Sequence, residues 1–159
     1  MFEAVNINRA EAREGLAASV RVATSQDAER IAQLSTQLGY PSSREDVEHR
    51  LELIERAPDN VVYVAALADG SVVGWLHAYV RRLVESDTSA ELGGLVVDEH
   101  RRGRGVGRVL MDHAEQWARG KGCTGLSLRS NIIRDGARKF YQDLGYTVLK
   151  TQYAFWKKL

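Results

Sequence analysis

A chain of 159 residues with a formal net charge of +1, 44% hydrophobic and 27% charged, has the length and composition of one soluble globular domain. So balanced a charge excludes general attraction to nucleic acid. Apolar runs such as 61–68 are too short to cross a bilayer, so no membrane partner is expected either.

Residues 1–17 lack periodicity and read as a loose N-terminal segment ahead of one domain over 18–159. Val20 and Val22 alternate with polar neighbours, giving a first strand over 19–23. Thr24 with Asp27 forms a capping box for a helix carrying Ile31, Leu34 and Leu38 on one face, ended by Gly39. Ser42 with Glu45 marks a second helix, whose stripe is Val47, Leu51 and Ile54 and whose other face holds Glu45, Asp46, Glu48, Glu52 and Glu55. The runs 61–67 and 72–80 are β-branched and aromatic, joined through the turn-forming pair Asp69-Gly70. A strand follows over 90–97, with Gly93-Gly94 inside it. Glycine weakens a strand interior, so the pair marks a bulge or a close approach to the backbone. A helix is expected over 104–120, with Val106, Val109, Leu110, Ala114 and Trp117 on one face, then a short strand over 126–130. A last helix over 135–144 stops at Gly145, and 146–150 and 153–157 read as closing strands. The order β-α-α-β-β-β-α-β-α-β-β is that of an α/β domain.

The chemistry concentrates in residues 91–107, Glu-Leu-Gly-Gly-Leu-Val-Val-Asp-Glu-His-Arg-Arg-Gly-Arg-Gly-Val-Gly. A strand leads into a glycine–arginine loop, and the loop into a helix. Glycines let backbone N–H groups turn inward around an anion, the helix start adds unpaired donors, and arginine suits phosphate oxygens. A Walker loop would need Gly-Lys-Ser/Thr, which is missing. A dinucleotide fingerprint begins at Gly103 and Gly105 but meets Arg108 where its last glycine belongs. The pattern Arg-x-x-Gly-x-Gly is satisfied by Arg102, Gly105 and Gly107.

This pattern resembles the coenzyme A pyrophosphate loop of the GCN5-related N-acetyltransferases, the GNAT superfamily. Residues 135–146, Asp-Gly-Ala-Arg-Lys-Phe-Tyr-Gln-Asp-Leu-Gly-Tyr, resemble the C-terminal motif of the same family, and the element order matches it across 19–157. The resemblance implies a GNAT fold: a mixed, mostly antiparallel twisted sheet flanked by about four helices and splayed between strands 90–97 and 124–130. It implies an enzyme that transfers acetyl from acetyl-CoA to a primary amine on a small molecule or peptide, by direct attack in a ternary complex. A non-catalytic coenzyme A sensor on the same fold is the other reading. By the family pattern, Leu95 and Val97 pair with pantetheine through their backbones, and an N–H near Val96 or Val97 polarises the thioester. Backbone amides of Arg102, Gly103, Arg104, Gly105, Val106 and Gly107, with Arg108 beside them, hold the pyrophosphate. Glu91 matches a position used for a base, acting directly or through water; otherwise it is a polar residue of a half-exposed strand. Tyr141 matches the tyrosine that protonates the departing thiolate, or else packs its ring on the core. Asn131 either bonds the pantetheine arm or caps a turn. Arg134 stands where the family often has an asparagine seven residues before the tyrosine, which puts that contact in doubt. The acidic second helix suits a cationic acceptor, and the resemblance favours a homodimer.

The remaining signals have bland readings. Cys123, the single cysteine, cannot form an internal disulfide; with no leader-like start, it points to a reducing, cytoplasmic location. His49, His77, His100 and His113 lack metal-ligand spacing, so no metal is expected. His77 shares a strand face with Trp75 and Tyr79 and reads as an ordinary strand histidine.

Overall fold

The computed structural model describes residues 17–131 and 134–159, so the N-terminal segment expected over 1–17 lies outside the described residues except at its last position. The chain divides into two compact units, 1–128 and 129–159. In the first unit, strands β1 (Ser19–Val22), β2 (Asn60–Ala66), β3 (Val72–Leu83), β4 (Ser86–Val97) and β5 (Leu126–Leu128) form one sheet in the order β1-β2-β3-β4-β5. All neighbours are antiparallel except β4 and β5. A parallel pair needs a crossover, and helix α3 (Val106–Gly120) supplies it.

Helices α1 (Ala28–Leu38) and α2 (Arg44–Glu55) join β1 to β2. Ala28, Ile31, Leu34 and Val47 from this pair pack with Val64, Val72 and Val96 of the sheet, and Trp75 lies against them. Gly74, the preceding residue, points to the opposite face, where a Cβ would stand 3.3 Å from Leu110 and 3.5 Å from Val106 of α3. The sheet is thus covered on both faces. Leu34, Leu76, Leu110 and Met111 are fully buried, each contributing about 1.5–3 kcal/mol of apolar transfer.

The local signals operate with small shifts. Thr24 N–H donates to Asp27 Oδ2 at 2.8 Å as the capping box requires, but a 3-10 turn (Ser25–Asp27) precedes α1. The second cap is Ser43 with Asp46, one residue beyond the expected pair; Asp46 N–H donates to Ser43 Oγ at 3.0 Å. Helix α3 begins at Val106 rather than 104, because Gly105 has φ +83°, outside the helical region. The hairpin between β2 and β3 closes through Gly70 N–H to Leu67 O at 2.9 Å, with Gly70 at φ +85°.

The second unit contains α4 (Asp135–Asp143), ended by Gly145 at φ +92°. The expected strands over 146–150 and 153–157 do not form: 146–159 has no regular secondary structure, and Val148, Leu149, Tyr153, Phe155 and Trp156 are exposed. Strand propensity is realised only against a partner, and Thr151-Gln152 lacks the turn chemistry that would close this hairpin. Strand β5 likewise stops at Leu128 rather than at residue 130.

Candidate active site

The expected bulge is present. His77 pairs with Gly94 and Ala78 with Leu92, leaving Gly93 as the extra residue of β4. Both glycines are needed for close approach. A Cβ on Gly94 would lie 2.8 Å from Trp75 Cη2, and one on Gly93 would lie 3.0 Å from His77 Nδ1. The two rings of β3 therefore lean across β4 where side chains would otherwise stand.

The sheet opens at the same point. Strand β5 follows β4 through Ala90↔Leu126, Glu91↔Ser127 and Leu92↔Leu128, and its register ends there. Residues 93–97 of β4 have no strand partner on that side among the described residues. Asp98 N–H donates to Val73 O at 2.8 Å, so strand alternation directs the N–H and C=O of Val97 and Leu95 away from β3, toward the open edge, and those of Val96 back to β3. Arg102 Nε donating to Val97 O at 3.1 Å agrees. Of Val96 and Val97, it is Val97 whose N–H faces the open edge.

Glu91 is 5% exposed and accepts from Arg81 Nη1 at 2.9 Å. It stands directly across from Tyr79, one position before the last β4–β5 pair. It is thus a buried, ion-paired carboxylate.

Beyond Val97 the chain makes a 3-10 turn (Glu99–Arg101), and Arg102, Gly103, Arg104 and Gly105 follow, all exposed. Gly103 and Gly105 take φ of +73° and +83°, a region that disfavours side chains. Gly105 is the N-cap of α3 and supplies no side-chain cap, so the first N–H groups of the helix, on Val106, Gly107 and Arg108, have no intrahelical acceptor. Arg108 is exposed beside them, and buried Val106, Leu110, Met111 and Ala114 anchor the helix. Exposed arginines, left-handed glycines and free helix donors fit a pyrophosphate group.

This loop is braced from α1. Arg30 Nε donates to Val72 O at 2.9 Å and its Nη2 pairs with Asp98. Asp98 also accepts from His100 N–H at 3.0 Å, and that bond, with Arg30 beside it, holds the carboxyl below its ordinary range. Gln37 Oε1 accepts from Glu99 N–H at 3.0 Å. Sequence reasoning missed Arg30, Gln37 and Asp98 because their partners lie tens of residues away, with no local pattern to announce them.

Tyr141 and Asn131 belong to the second unit. Tyr141 packs between Phe140 and Tyr146, with ring centroids at 5.1 and 6.0 Å. Burial pushes its phenol up to about 12, against the pull of nearby Arg134, so it is an O–H donor at any physiological pH. Asn131 is exposed, and its backbone carbonyl accepts from Arg134 N–H at 3.0 Å. Among the described residues no helix is long and apolar enough to cross a membrane, and no three His, Cys, Asp or Glu side chains are grouped as metal ligands.

The sequence profile of the acetyltransferase (GNAT) family matches residues 15–146. An aminoglycoside N(6')-acetyltransferase type 1 of Stenotrophomonas maltophilia is 33% identical over 135 residues, 82% of this chain and 86% of that protein. An aminoalkylphosphonate N-acetyltransferase of Salmonella typhimurium is 36% identical over 88 residues, 55% of this chain and 57% of that one. The fold superposes on an aminoglycoside N-acetyltransferase crystallised with CoA at a TM-score of 0.80, with 23% identity, covering 94% of this chain and all of the other.

Proposed function

The chain belongs to the acetyltransferase (GNAT) family, and from that premise we propose that it acetylates a primary amine of a small molecule by direct attack on acetyl-CoA. The observation that carries this reading is β4. Residues 93–97 leave β5, bulge at Gly93 and run directly into the glycine–arginine loop. One continuous stretch thus offers an open strand edge followed by a phosphate cradle.

Acetyl-CoA supplies the acetyl group as a thioester. The edge-facing groups of Leu95 and Val97 hold the pantetheine arm as a further strand would, and Val97 N–H is the donor toward the thioester carbonyl; Val96 supports this edge by its bonding to β3. Amides of Arg102, Gly103, Arg104, Gly105, Val106 and Gly107 hold the pyrophosphate, with Arg108 beside them. Arg102 currently occupies Val97 O; turning to phosphate, it frees that carbonyl for pantetheine. By the family pattern Asn131 bonds the pantetheine arm. Glu91 serves the deprotonation of the amine by receiving the ammonium at its carboxylate, the charge kept in place by Arg81. Tyr141 donates its O–H to the departing sulfur. The chemistry needs positioning above all, because both reactants are held together before the bond forms.

The relatives act on aminoglycosides and on aminoalkylphosphonates, which supports a small-molecule acceptor. The exposed carboxylates Glu45, Asp46, Glu52 and Glu55 on α2 support a cationic one. The same proposal takes 18–159 as one acetyltransferase domain, cytoplasmic and homodimeric, which light scattering checks for the dimer. The test of function is an amine panel of aminoglycosides, polyamines and aminoalkylphosphonates, with thiol release followed at fixed acetyl-CoA. Amine-dependent release with a polycationic amine is expected; release only with anionic amines would overturn the acceptor class.

A further inference from the structure

The face of β3 and β4 carries an imidazole that the mechanism above leaves unused. His77 Nε2 lies 3.0 Å from Asn60 Oδ1. The amide oxygen only accepts, so Nε2 bears the hydrogen and Nδ1 keeps its lone pair. Nδ1 is the atom that a Cβ on Gly93 would meet at 3.0 Å. The imidazole therefore lies over the bulged residue, the first one beyond the final β4–β5 pair. Among the described residues no hydrogen bond occupies Nδ1. Glu91, in contrast, is bound by Arg81 at 2.9 Å. It can attract an ammonium, but taking a proton would weaken its own ion pair.

We propose that His77 is the proton acceptor for the incoming amine, its tautomer fixed by Asn60 and its reach across β4 permitted by Gly93. The proposal rests on acetyl transfer to an amine. An ammonium acceptor held at Glu91 gives one proton to Nδ1 and becomes the nucleophile. As the C–N bond forms and the C–S bond breaks, the sulfur leaves with the electron pair and takes up a proton to become the free thiol, and the nitrogen sheds its second proton to solvent. The imidazolium returns its proton to water, so each turnover releases one proton. Tyr79, with ring centroids 5.8 Å from His77, Arg81 on β3 and Glu91 on β4 are the titratable groups around it; Asn60 on β2 is uncharged, and the carboxylates of α2 at 45, 46, 52 and 55 are exposed. Burial lowers the affinity of His77 for a proton, which keeps it neutral and ready at neutral pH.

The test combines two measurements on the full chain. The first is ¹⁵N NMR of the imidazole without substrates: an Nε2–H tautomer is expected, and an Nδ1–H tautomer would overturn the proposal. The second is kcat/KM against pH with acetyl-CoA and kanamycin, or the best amine of the panel. Wild type should lose activity as pH falls through an acidic limb below pH ~6.5. His77→Gln should lose about 100-fold and with it that limb, at unchanged acetyl-CoA affinity. Asn60→Asp, which keeps the imidazole, should move the limb upward by about one pH unit, because a carboxylate favours the imidazolium. Wild-type rate and limb in His77→Gln, or an unmoved limb in Asn60→Asp, would refute the role of His77 alone. A wild type that binds acetyl-CoA but acetylates no amine would instead refute the function on which it rests.

Discussion

Gly105 and Gly70 allow the phosphate loop to be tested with an internal control. Both take left-handed φ, +83° and +85°, and at neither would a new Cβ meet any atom within 4 Å. An alanine at either position therefore incurs the same backbone strain, about 1–2 kcal/mol, and no steric clash within the chain. For a domain of this size that predicts a fall in Tm of roughly 2–8 °C in both variants. Only Gly105 is the N-cap of α3. A methyl there, or a shift of the N-cap to relieve strain, disturbs the helix donors assigned to the pyrophosphate. Calorimetric titration with CoA should then show Gly105→Ala binding at least about tenfold more weakly, a loss of about 1.4 kcal/mol, with Gly70→Ala unchanged. Equal affinities in two variants of equal Tm would refute the assignment of the loop.

Four other outcomes follow from the same geometry. Tyr141→Phe, at a residue also counted among those that bind acetyl-CoA, should reduce kcat by about tenfold or more and weaken acetyl-CoA binding less than that, as steady-state kinetics and titration will show. Asp98→Asn removes the partner of Arg30 at a position 8% exposed, and should cost about 1–3 kcal/mol in urea unfolding and weaken CoA binding. Gly94→Ala forces the Trp75 ring aside, for about 1–3 kcal/mol, and a double-mutant cycle with Trp75→Leu should recover much of it. Asp27 has its carboxyl shifted downward: desolvation opposes the shift, but hydrogen bonds from Arg21 and Thr24 outweigh it. Its contribution to stability is thus present above the unfolded value of about 3.9 and is lost as pH falls through the lower folded value. Asp27→Asn should remove that loss from an acid-unfolding series.

Local signals in the sequence located the helices and strands of the first unit, with the second cap and the start of α3 displaced by one or two residues. The Gly93-Gly94 pair announced a bulge or a close approach, and both are present: the register shifts there, and two rings of β3 occupy the space of the missing side chains. The glycine–arginine loop before α3 was legible, but its end was not: Gly105, expected inside the helix, holds φ +83° and lies ahead of it. What stayed hidden depends on distant partners. Arg30 and Asp98 meet only after the sheet has brought α1 beside the end of β4. Asn60 gives His77 its orientation from a neighbouring strand, so His77 read as an ordinary strand residue. The apolar alternation over 146–157 was legible as strands, yet pattern alone forms no hairpin without a turn and a partner.

The central claim is that this chain moves acetyl from acetyl-CoA to an amine. Purified chain, acetyl-CoA and the amine panel test it directly, with thiol release and the mass of the amine followed together. One thiol released for each amine acetylated is the predicted result. Tight acetyl-CoA binding without amine-dependent release across the panel would contradict it, and would mark the chain as a coenzyme A sensor.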